Sequence, residues 1–151
     1  MCCNRTANAQ IDRIHEKALR IIYNDQKSSF SFLLEKSKTV RIHHRNLQLL
    51  ATEMYKVQKE ISPIFMRDIF QLKESTYSLR HTSTFQTGNV RTVFNGTETI
   101  SYLGPKIWEQ LPNELKMSEN LAIFKKNVRY WIPKNCPCRL CKVYVTNLGF
   151  L

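Results

Sequence analysis

The chain has 151 residues and a formal net charge of +11, from 23 Lys and Arg against 12 Asp and Glu. This length suits one domain, and the 42% hydrophobic fraction excludes a collagen-like, low-complexity or wholly disordered chain. No apolar run approaches the roughly 18 residues that a membrane span needs, and the first residues lack the apolar stretch of a signal peptide. The sequence therefore predicts an intracellular protein of the nucleus or cytoplasm, without a membrane partner.

The first helix is predicted over residues 7–23. Its apolar residues recur at steps of three and four, which places them on one stripe of the helix. They are Ile11, Ile14, Ala18, Ile21 and Ile22. The charged residues Arg13 and Lys17 lie off this stripe, and the pair Asn24 and Asp25 favours a stop.

Two further helices are predicted to follow. Ser29 can cap a short apolar helix that begins at Phe30. Thr39 then opens the longest helix of the chain, in which apolar residues recur at helical spacing to about Glu60. Arg and Lys side chains occupy the opposite face of this helix, so one side is predicted to be apolar and the other solvated.

A fourth helix is predicted from Ile64 to Leu72, because Ser62 can cap orphan amides and Pro63 suits the first helical turn. The side chains expected to face the core are those of Ile64, Ile69 and Phe70. Beyond this helix the sequence is polar, rich in Ser and Thr and without a sustained period to about Gly88. This composition predicts a poorly ordered loop between two halves of the chain.

The clearest strand signal lies in residues 90–102. Alternating side chains on either side of the Asn-Gly dipeptide at 95–96 predict a two-stranded hairpin, because this dipeptide tolerates the positive φ of a tight turn. A hairpin alone is marginal in water, so its apolar face must pack on helices. Gly104 and Pro105 are predicted to end the strand and to start a short helix that contains Trp108.

A last helix is predicted between Ser118 and Pro133. Its apolar face is formed by Leu121, Phe124, Val128 and Trp131. Its opposite face is formed by Lys125, Lys126 and Arg129. Because Trp108 and Trp131 lie on apolar stripes, we expect them to pack in the core and not to stack on nucleic-acid bases.

These elements together predict a mainly α (α+β) fold, a helical bundle-like domain with one β-hairpin and an irregular Cys-containing tail. The predicted divisions are a helical half over 1–72, a polar loop over 73–89, a hairpin plus helices over 90–132 and a basic tail over 133–151. The hairpin and the last helix would thus share one part of the chain.

The positive charge is concentrated near the carboxyl terminus. Residues 116–151 contain seven basic and one acidic side chain, residues 61–115 contain five of each, and residues 1–60 contain eleven and six. Such a field attracts polyanions, of which nucleic acid is the commonest inside cells; acidic proteins and anionic membranes compete, and a solubilising surface is the alternative. The predicted nucleic-acid-binding residues are Lys125, Lys126, Arg129, Lys134, Arg139 and Lys142.

Three of the five cysteines form a compact CPCRLC cluster in the tail. They are Cys136, Cys138 and Cys141. Thiolates this close can share a soft metal such as zinc, although a structural zinc site uses four ligands and C-x-x-C spacing occurs only once. A fourth ligand would come from Cys2, Cys3 or His81, or from another chain. Unliganded thiols are the alternative interpretation, since a reducing compartment disfavours disulfides.

No pattern typical of catalysis is present in the sequence. The stretch from Tyr23 to Gln26 is superficially similar to the metal-binding turn of polymerases, yet it lacks the second Asp and lies at a helix end. Nucleotide-binding loops and common hydrolase motifs do not occur, and the acidic residues are scattered singly. His43 and His44 point about 100° apart on a helix, so a solvated face suits them better than a shared site. The chain is predicted to be non-enzymatic.

Two motifs, placed in order along the chain, point to a family. The first is A-x-R-I-I, here Ala18 to Ile22, and the second is G-P-x-I-W-x-x-L-P, here Gly104 to Pro112. With the segments SFSFLLEK, ISPIFMRDIF and NLAIFKKNVRYW between and after them, the chain resembles the carboxy-terminal region of Jockey-type non-LTR retrotransposon reverse transcriptases. The resemblance covers nearly the whole chain, and the closing CPCRLC also looks like the endings of some members.

The resemblance implies a region that follows the polymerase fingers, palm and thumb, and that carries none of the catalytic positions of the family. The parent polyprotein would nick DNA and copy RNA at the nick. The function it implies is a non-catalytic accessory region or fragment that binds RNA or DNA without sequence specificity. The alternatives are a scaffold that packs against the thumb and a decayed remnant without function. An exposed apolar patch of roughly several hundred Å² would favour the scaffold.

Overall fold

The computed structural model describes residues 5–73, 84–89 and 99–133. Seven helices lie within these ranges, which confirms the mainly α fold. They are α1 (Arg5–Tyr23), α2 (Phe30–Ser37), α3 (Ile42–Gln58), α4 (Ile64–Ile69), α5 (Ile100–Gln110), α6 (Asn113–Lys116) and α7 (Leu121–Val128). The chain divides into two compact units, residues 2–46 and residues 47–151. None of the described helices combines the length and the apolar character needed to cross a bilayer.

The 2–46 unit has a small core between α1 and α2. Leu19 of α1 is buried with Leu33 and Leu34 of α2, and the partly buried rings of Tyr23 and Phe30 pack against this cluster. At about 1.5 to 3 kcal/mol for each fully buried aliphatic side chain, three leucines supply a modest driving force. The unit therefore has little apolar burial to spare.

Three helices end next to residues with a left-handed backbone. The φ angles are 47° at Asn24, 53° at Lys38 and 58° at Glu60. This conformation turns the chain so that amides reach carbonyls of the last helical turn, as the Lys38 amide reaches the Glu35 carbonyl at 3.0 Å. The predicted stop after the first helix is confirmed at Asn24. The predicted cap of α2 is also confirmed, since the Ser29 hydroxyl accepts a hydrogen bond from the backbone amide three residues later.

The described part of the 47–151 unit has a larger core built around aromatic rings. Trp108 of α5 is 1% exposed, which confirms its predicted burial. Its ring meets Phe85 edge-on with centroids 5.6 Å apart and stacks on Phe124 of α7 at 6.5 Å. Phe124 in turn stacks on Tyr55 of α3 at 4.3 Å. Aromatic packing thus joins α3, α5 and α7.

Phe85 is a core residue inside the segment that composition predicts to be a poorly ordered loop. Its backbone pairs with Leu72 in an isolated antiparallel bridge, and the Lys73 amide donates to the Thr84 carbonyl at 3.0 Å. The ring is buried. A single apolar residue has no period, so the sequence pattern did not indicate it. Residues 74–83 of this loop lie outside the described ranges.

Helix α5 begins four residues earlier than predicted, and the prediction that residues 100–102 belong to a strand is wrong. Pro105 lies inside α5 and lacks the amide that would bond to the Ser101 carbonyl. The Gly88 amide donates to that carbonyl at 3.4 Å, so the neighbouring segment supplies the missing partner. Residues 90–98, the rest of the predicted hairpin, lie outside the described ranges.

Gly104 is needed for packing and does not start the helix. A Cβ atom at this position would lie 2.6 Å from Cε1 of Phe70 and 2.8 Å from Sδ of Met54. Both distances are far shorter than the roughly 3.5 to 4.0 Å of a favourable carbon contact. The absent side chain therefore lets α5 approach α3 and Phe70 closely.

Helix α4 is exposed along its length. Ile64 is 79% exposed and Ile69 is 36% exposed, so the prediction that they face the core is wrong. The prediction for Phe70 is confirmed, because its ring is fully buried. Pro63 occupies the cap position without a side-chain hydrogen bond, so the prediction that Ser62 caps this helix is wrong. The helix also ends at Ile69, before the predicted end at Leu72. None of the residues of α4 is buried, and the buried ring directly follows the helix.

Candidate functional site

Helix α7 positions the described part of the predicted basic site. Its cap is Asn120, whose Oδ1 accepts a hydrogen bond from the Ile123 amide at 2.9 Å. The helix therefore begins later than predicted. Phe124 and Val128 are buried, which confirms this part of the predicted apolar face. The predicted continuation of the helix to Trp131 is wrong, since α7 ends at Val128 and Trp131 is half-buried in the chain beyond it.

Three cations lie on the side opposite to the buried residues of α7, two of them in the helix and the third at its C-cap. They are Lys125, Lys126 and Arg129, all exposed, and we refer to them as the basic face. None of them forms an ion pair with another residue of the described ranges. The remaining predicted binding residues lie outside the described ranges: Lys134, Arg139 and Lys142.

A buried side chain that the sequence did not indicate holds the turn after α7. Gln48 of α3 is 1% exposed, and its Nε2 donates to the carbonyls of Arg129 at 3.0 Å and Trp131 at 2.9 Å. This one amide therefore satisfies the carbonyl of the C-cap residue Arg129 and a second carbonyl in the chain beyond the helix. Tyr130, between them, is 71% exposed. In the sequence, Gln48 differs from other polar residues only in its position next to the apolar Leu47 on a predicted helix, and this does not indicate its buried role.

A second surface lies on α1, in the 2–46 unit. The apolar residues predicted for one side of this helix are all exposed: Ile11, Ile14, Ala18, Ile21 and Ile22. We refer to them as the apolar stripe. The exposed fractions of Ile14 and Ile21 are 67% and 76%. The side of α1 that carries Asn8 and Leu19 is buried instead. The helix thus buries the side next to the apolar stripe and leaves the stripe itself in solvent.

The apolar stripe has the spacing of a coiled-coil seam. Together with Ala7, the residues Ile11, Ile14, Ala18 and Ile21 follow steps of four, three, four and three. This heptad pattern is typical of a helix that packs against another helix. Lys17 and, one turn away, Arg13 lie exposed along one edge without an ion pair among the described residues. The two acidic residues of α1 are paired with Arg20 and Arg41.

The Asp25 carboxylate belongs to a local turn. Its Oδ1 accepts hydrogen bonds from the amides of Lys27 at 3.1 Å and Ser28 at 2.9 Å. Hydrogen bonding, first from the Ser28 side chain and then from its amide, lowers the pKa of Asp25 below its ordinary value of 3.8. These contacts give the polymerase-like tetrapeptide a structural role.

Metal ligands do not gather in the described part of the chain. No group of three His, Cys, Asp or Glu side chains suited to an ion occurs within residues 5–73, 84–89 and 99–133. His43 and His44 are half-buried, with ring centroids 5.8 Å apart. The predicted zinc ligands lie outside these ranges, as do the candidate fourth ligands: Cys136, Cys138, Cys141, Cys2, Cys3 and His81.

Comparisons of this chain with protein-family models, curated proteins and solved structures gave no match. The two motifs that carry the resemblance have physical roles in the fold. The segment from Ala18 to Ile22 contributes to the apolar stripe on one side and the small core on the other. The segment from Gly104 to Pro112 supplies the close helix approach and the central Trp108.

Proposed function

We propose that this chain is a non-catalytic accessory region of a reverse transcriptase polyprotein of the non-LTR retrotransposon type, and that it acts by binding other macromolecules. The order of its motifs supports the family context. The lack of nucleotide-binding, nucleophile and paired-carboxylate motifs in the sequence supports a role in binding. Two surfaces of the described residues support two kinds of contact.

The contact that the geometry supports best is with a helix of another protein element, through the apolar stripe. The observation that carries it is the exposure of the stripe along a heptad pattern. Burying a side chain such as Ile14 or Ile21 contributes about 1.5 to 3 kcal/mol, so a facing helix would gain affinity from each. Lys17 and Arg13 at the edge favour acidic residues on that helix. Within a polyprotein of the proposed type, the partner belongs to the polymerase thumb.

A designed helix tests this contact without the natural partner. The peptide is three heptads long, with Leu at the seam positions and Glu at the flanking positions, and its binding to the full chain is measured by calorimetry. Parent protein should bind it, and the double variant Ile14→Gln, Ile21→Gln should not. A second peptide with Lys in place of Glu should bind more weakly, because it repels Lys17 and Arg13.

The matched control changes exposed apolar residues elsewhere. Ile64→Gln removes an even more exposed isoleucine from α4 in the 47–151 unit and should leave peptide binding unchanged. Failure of the parent to bind either peptide, or equal binding by the double variant, would contradict the assignment to α1.

The second candidate is weak, sequence-independent binding to nucleic acid through the basic face. The observation that favours it is the set of three exposed cations on one side of α7 without ion pairs in the described ranges. Each Lys or Arg that neutralises a phosphate releases counterions, so affinity falls with salt by a log-log slope of about 0.7 to 0.9 per contact. Micromolar or weaker affinity at physiological salt is typical of such non-specific contact.

A charge-matched pair of triple variants tests this second function. Changing Lys125, Lys126 and Arg129 to Gln should lower the slope of affinity against salt by about two to three units. The control changes Arg13, Lys17 and Lys27 of the 2–46 unit to Gln, which removes the same net charge. If both variants lose the same slope, only overall charge matters and the basic face is not a binding site.

A further inference from the structure

Tyr130 gives the basic face a feature that charge alone does not explain. It lies in the turn after α7, where the backbone continues in helical geometry through Arg129, and its amide bonds to the Asn127 carbonyl at 3.2 Å. Residues four apart on a helical path lie on the same side, so Tyr130 and Lys126 share one side of this path. An exposed aromatic residue thus directly follows Arg129 in the chain and shares the side of Lys126.

The backbone on both sides of Tyr130 is held from within the core. The buried Gln48 amide binds the carbonyls before and after it, and the Trp131 amide bonds to the Val128 carbonyl at 3.1 Å. The main chain of Tyr130 is therefore fixed while its ring remains in solvent. A ring presented on an ordered backbone loses little conformational freedom when a ligand covers it, so its contact energy is largely retained.

We infer that the basic face binds single-stranded nucleic acid, with an unpaired base stacked on the Tyr130 ring and phosphates held by Lys126 and Arg129. The inference rests on the nucleic-acid binding proposed above and names its substrate class. Phosphate contacts alone do not distinguish single strands from duplexes. An aromatic platform does, because bases inside a duplex are already stacked on each other, whereas an unpaired base presents a free face.

Three labelled oligonucleotides of equal length separate stacking from charge, with binding to the full chain followed by fluorescence anisotropy at low salt. One is a single strand, one is the same strand with every base removed from its sugar, and one is a duplex. The base-free strand keeps the phosphates and loses every stacking partner. Parent protein should bind the normal strand about tenfold more tightly than the base-free strand, which lies within the range for one stacked base.

Substitutions of Tyr130 test whether its ring causes this preference. Tyr130→Ala should bind the normal and base-free strands equally, whereas Tyr130→Phe should keep the preference because it keeps the ring. The salt slope should be unchanged in Tyr130→Ala and reduced by about 0.7 in Lys126→Gln, since only the latter loses a phosphate contact. Phe65→Ala is the matched control, because it removes a ring of similar exposure from α4 and should change neither quantity.

Three outcomes would overturn either base stacking on Tyr130 or the nucleic-acid binding on which it rests. Equal affinity of the parent for the normal and base-free strands would overturn the stacking inference while leaving nucleic-acid binding in place. Tighter binding to the duplex than to the normal strand would overturn it as well. Failure of the parent to bind any of the three at low salt would overturn the underlying nucleic-acid function. Because Tyr130 is exposed, its variants should melt at the temperature of the parent, so lost binding would not reflect unfolding.

Discussion

The same sequence pattern, an apolar helical period, has different outcomes in the two units of the chain. In the 47–151 unit, the apolar period of α7 marks buried side chains, Phe124 and Val128. In the 2–46 unit, the apolar period of α1 marks exposed ones, Ile14 and Ile21. Periodicity shows which side of a helix is apolar. It does not show whether the element that packs on this side belongs to the same chain. An exposed periodic stripe is therefore a reason to look for a partner.

The largest expected effect tests the aromatic core of the 47–151 unit. Trp108→Ala should lower the free energy of unfolding by about 3 to 5 kcal/mol, because the ring contacts both Phe85 and Phe124. Denaturant unfolding measures this loss. Trp108→Phe should cost clearly less, since it keeps an aromatic ring and removes a buried Nε1 that has no hydrogen-bond partner among the described residues. A loss below about 1 kcal/mol for the Ala variant would mean that the core is not built on this ring.

A smaller loss tests the close helix approach in the same unit. Gly104→Ala should destabilise the protein by about 1 to 3 kcal/mol through overpacking against Phe70 and Met54. In an open helix the same change would stabilise by about 1 kcal/mol, so the sign of the measured difference is informative. Gly88→Ala is the control, because its Cβ would lie no closer than 3.3 Å to the Ser101 side chain and 3.6 Å to the Ser101 carbonyl oxygen. Stabilisation by Gly104→Ala would show that α5 stands away from Phe70.

An effect near zero is expected on the apolar stripe of the 2–46 unit. Ile14→Gln and Ile21→Gln should each change the free energy of unfolding by no more than about 0.5 kcal/mol, because these side chains are already in solvent. Leu19→Gln, on the same helix but in the small core, should be strongly destabilising. Losses of similar size at Ile14 and Leu19 would show that the stripe is covered within the chain, and the contrast between the units would disappear.

The last prediction concerns the pKa of Asp25, in the turn after α1. Its carboxyl should titrate below 3.8 in the folded protein, which carbon-detected NMR can follow. Because the pKa is lower folded than unfolded, the stabilisation it contributes is present above 3.8 and is lost as the pH falls through the lower folded value. Ser28→Ala should raise the pKa towards 3.8, since Ser28 provides the largest contribution to the shift. An unchanged pKa in that variant would remove the turn as its cause.

Local signals were sufficient for much of the described fold. The first helix and its stop at Asn24, the cap at Ser29 and the burial of Phe70 and Trp108 were predicted correctly. These features depend on neighbouring residues or on large apolar side chains, and both are visible in sequence. For the candidate binding surfaces, the cations of α7 and the stripe of α1 were identified as residues. Their exposure was established only by the structure, since periodicity carries no information on what covers a face.

The incorrect predictions share one physical cause, which is contact between segments that are distant in the sequence. The prediction that Gly104 and Pro105 start a helix depends on their backbone preferences, which are local. In the fold, Pro105 is tolerated inside α5 because the Gly88 amide donates a hydrogen bond to the Ser101 carbonyl, to which Pro105 cannot donate. Gly104 is needed because the Phe70 ring leaves no room for a side chain at this position. Burial of Phe85 likewise depends on a ring far along the chain.

The amino-acid sequence alone determined the helical character of the chain, its amphipathic patterns and the accumulation of positive charge near its carboxyl terminus, because these follow from residue order and composition. Only the tertiary structure decided which apolar patterns became core, and that Gln48 would hold the backbone around Tyr130. That bond joins residues more than eighty positions apart, whereas periodicity and capping depend on neighbours within a few positions. Burial and buried hydrogen bonds depend on which segments meet in space.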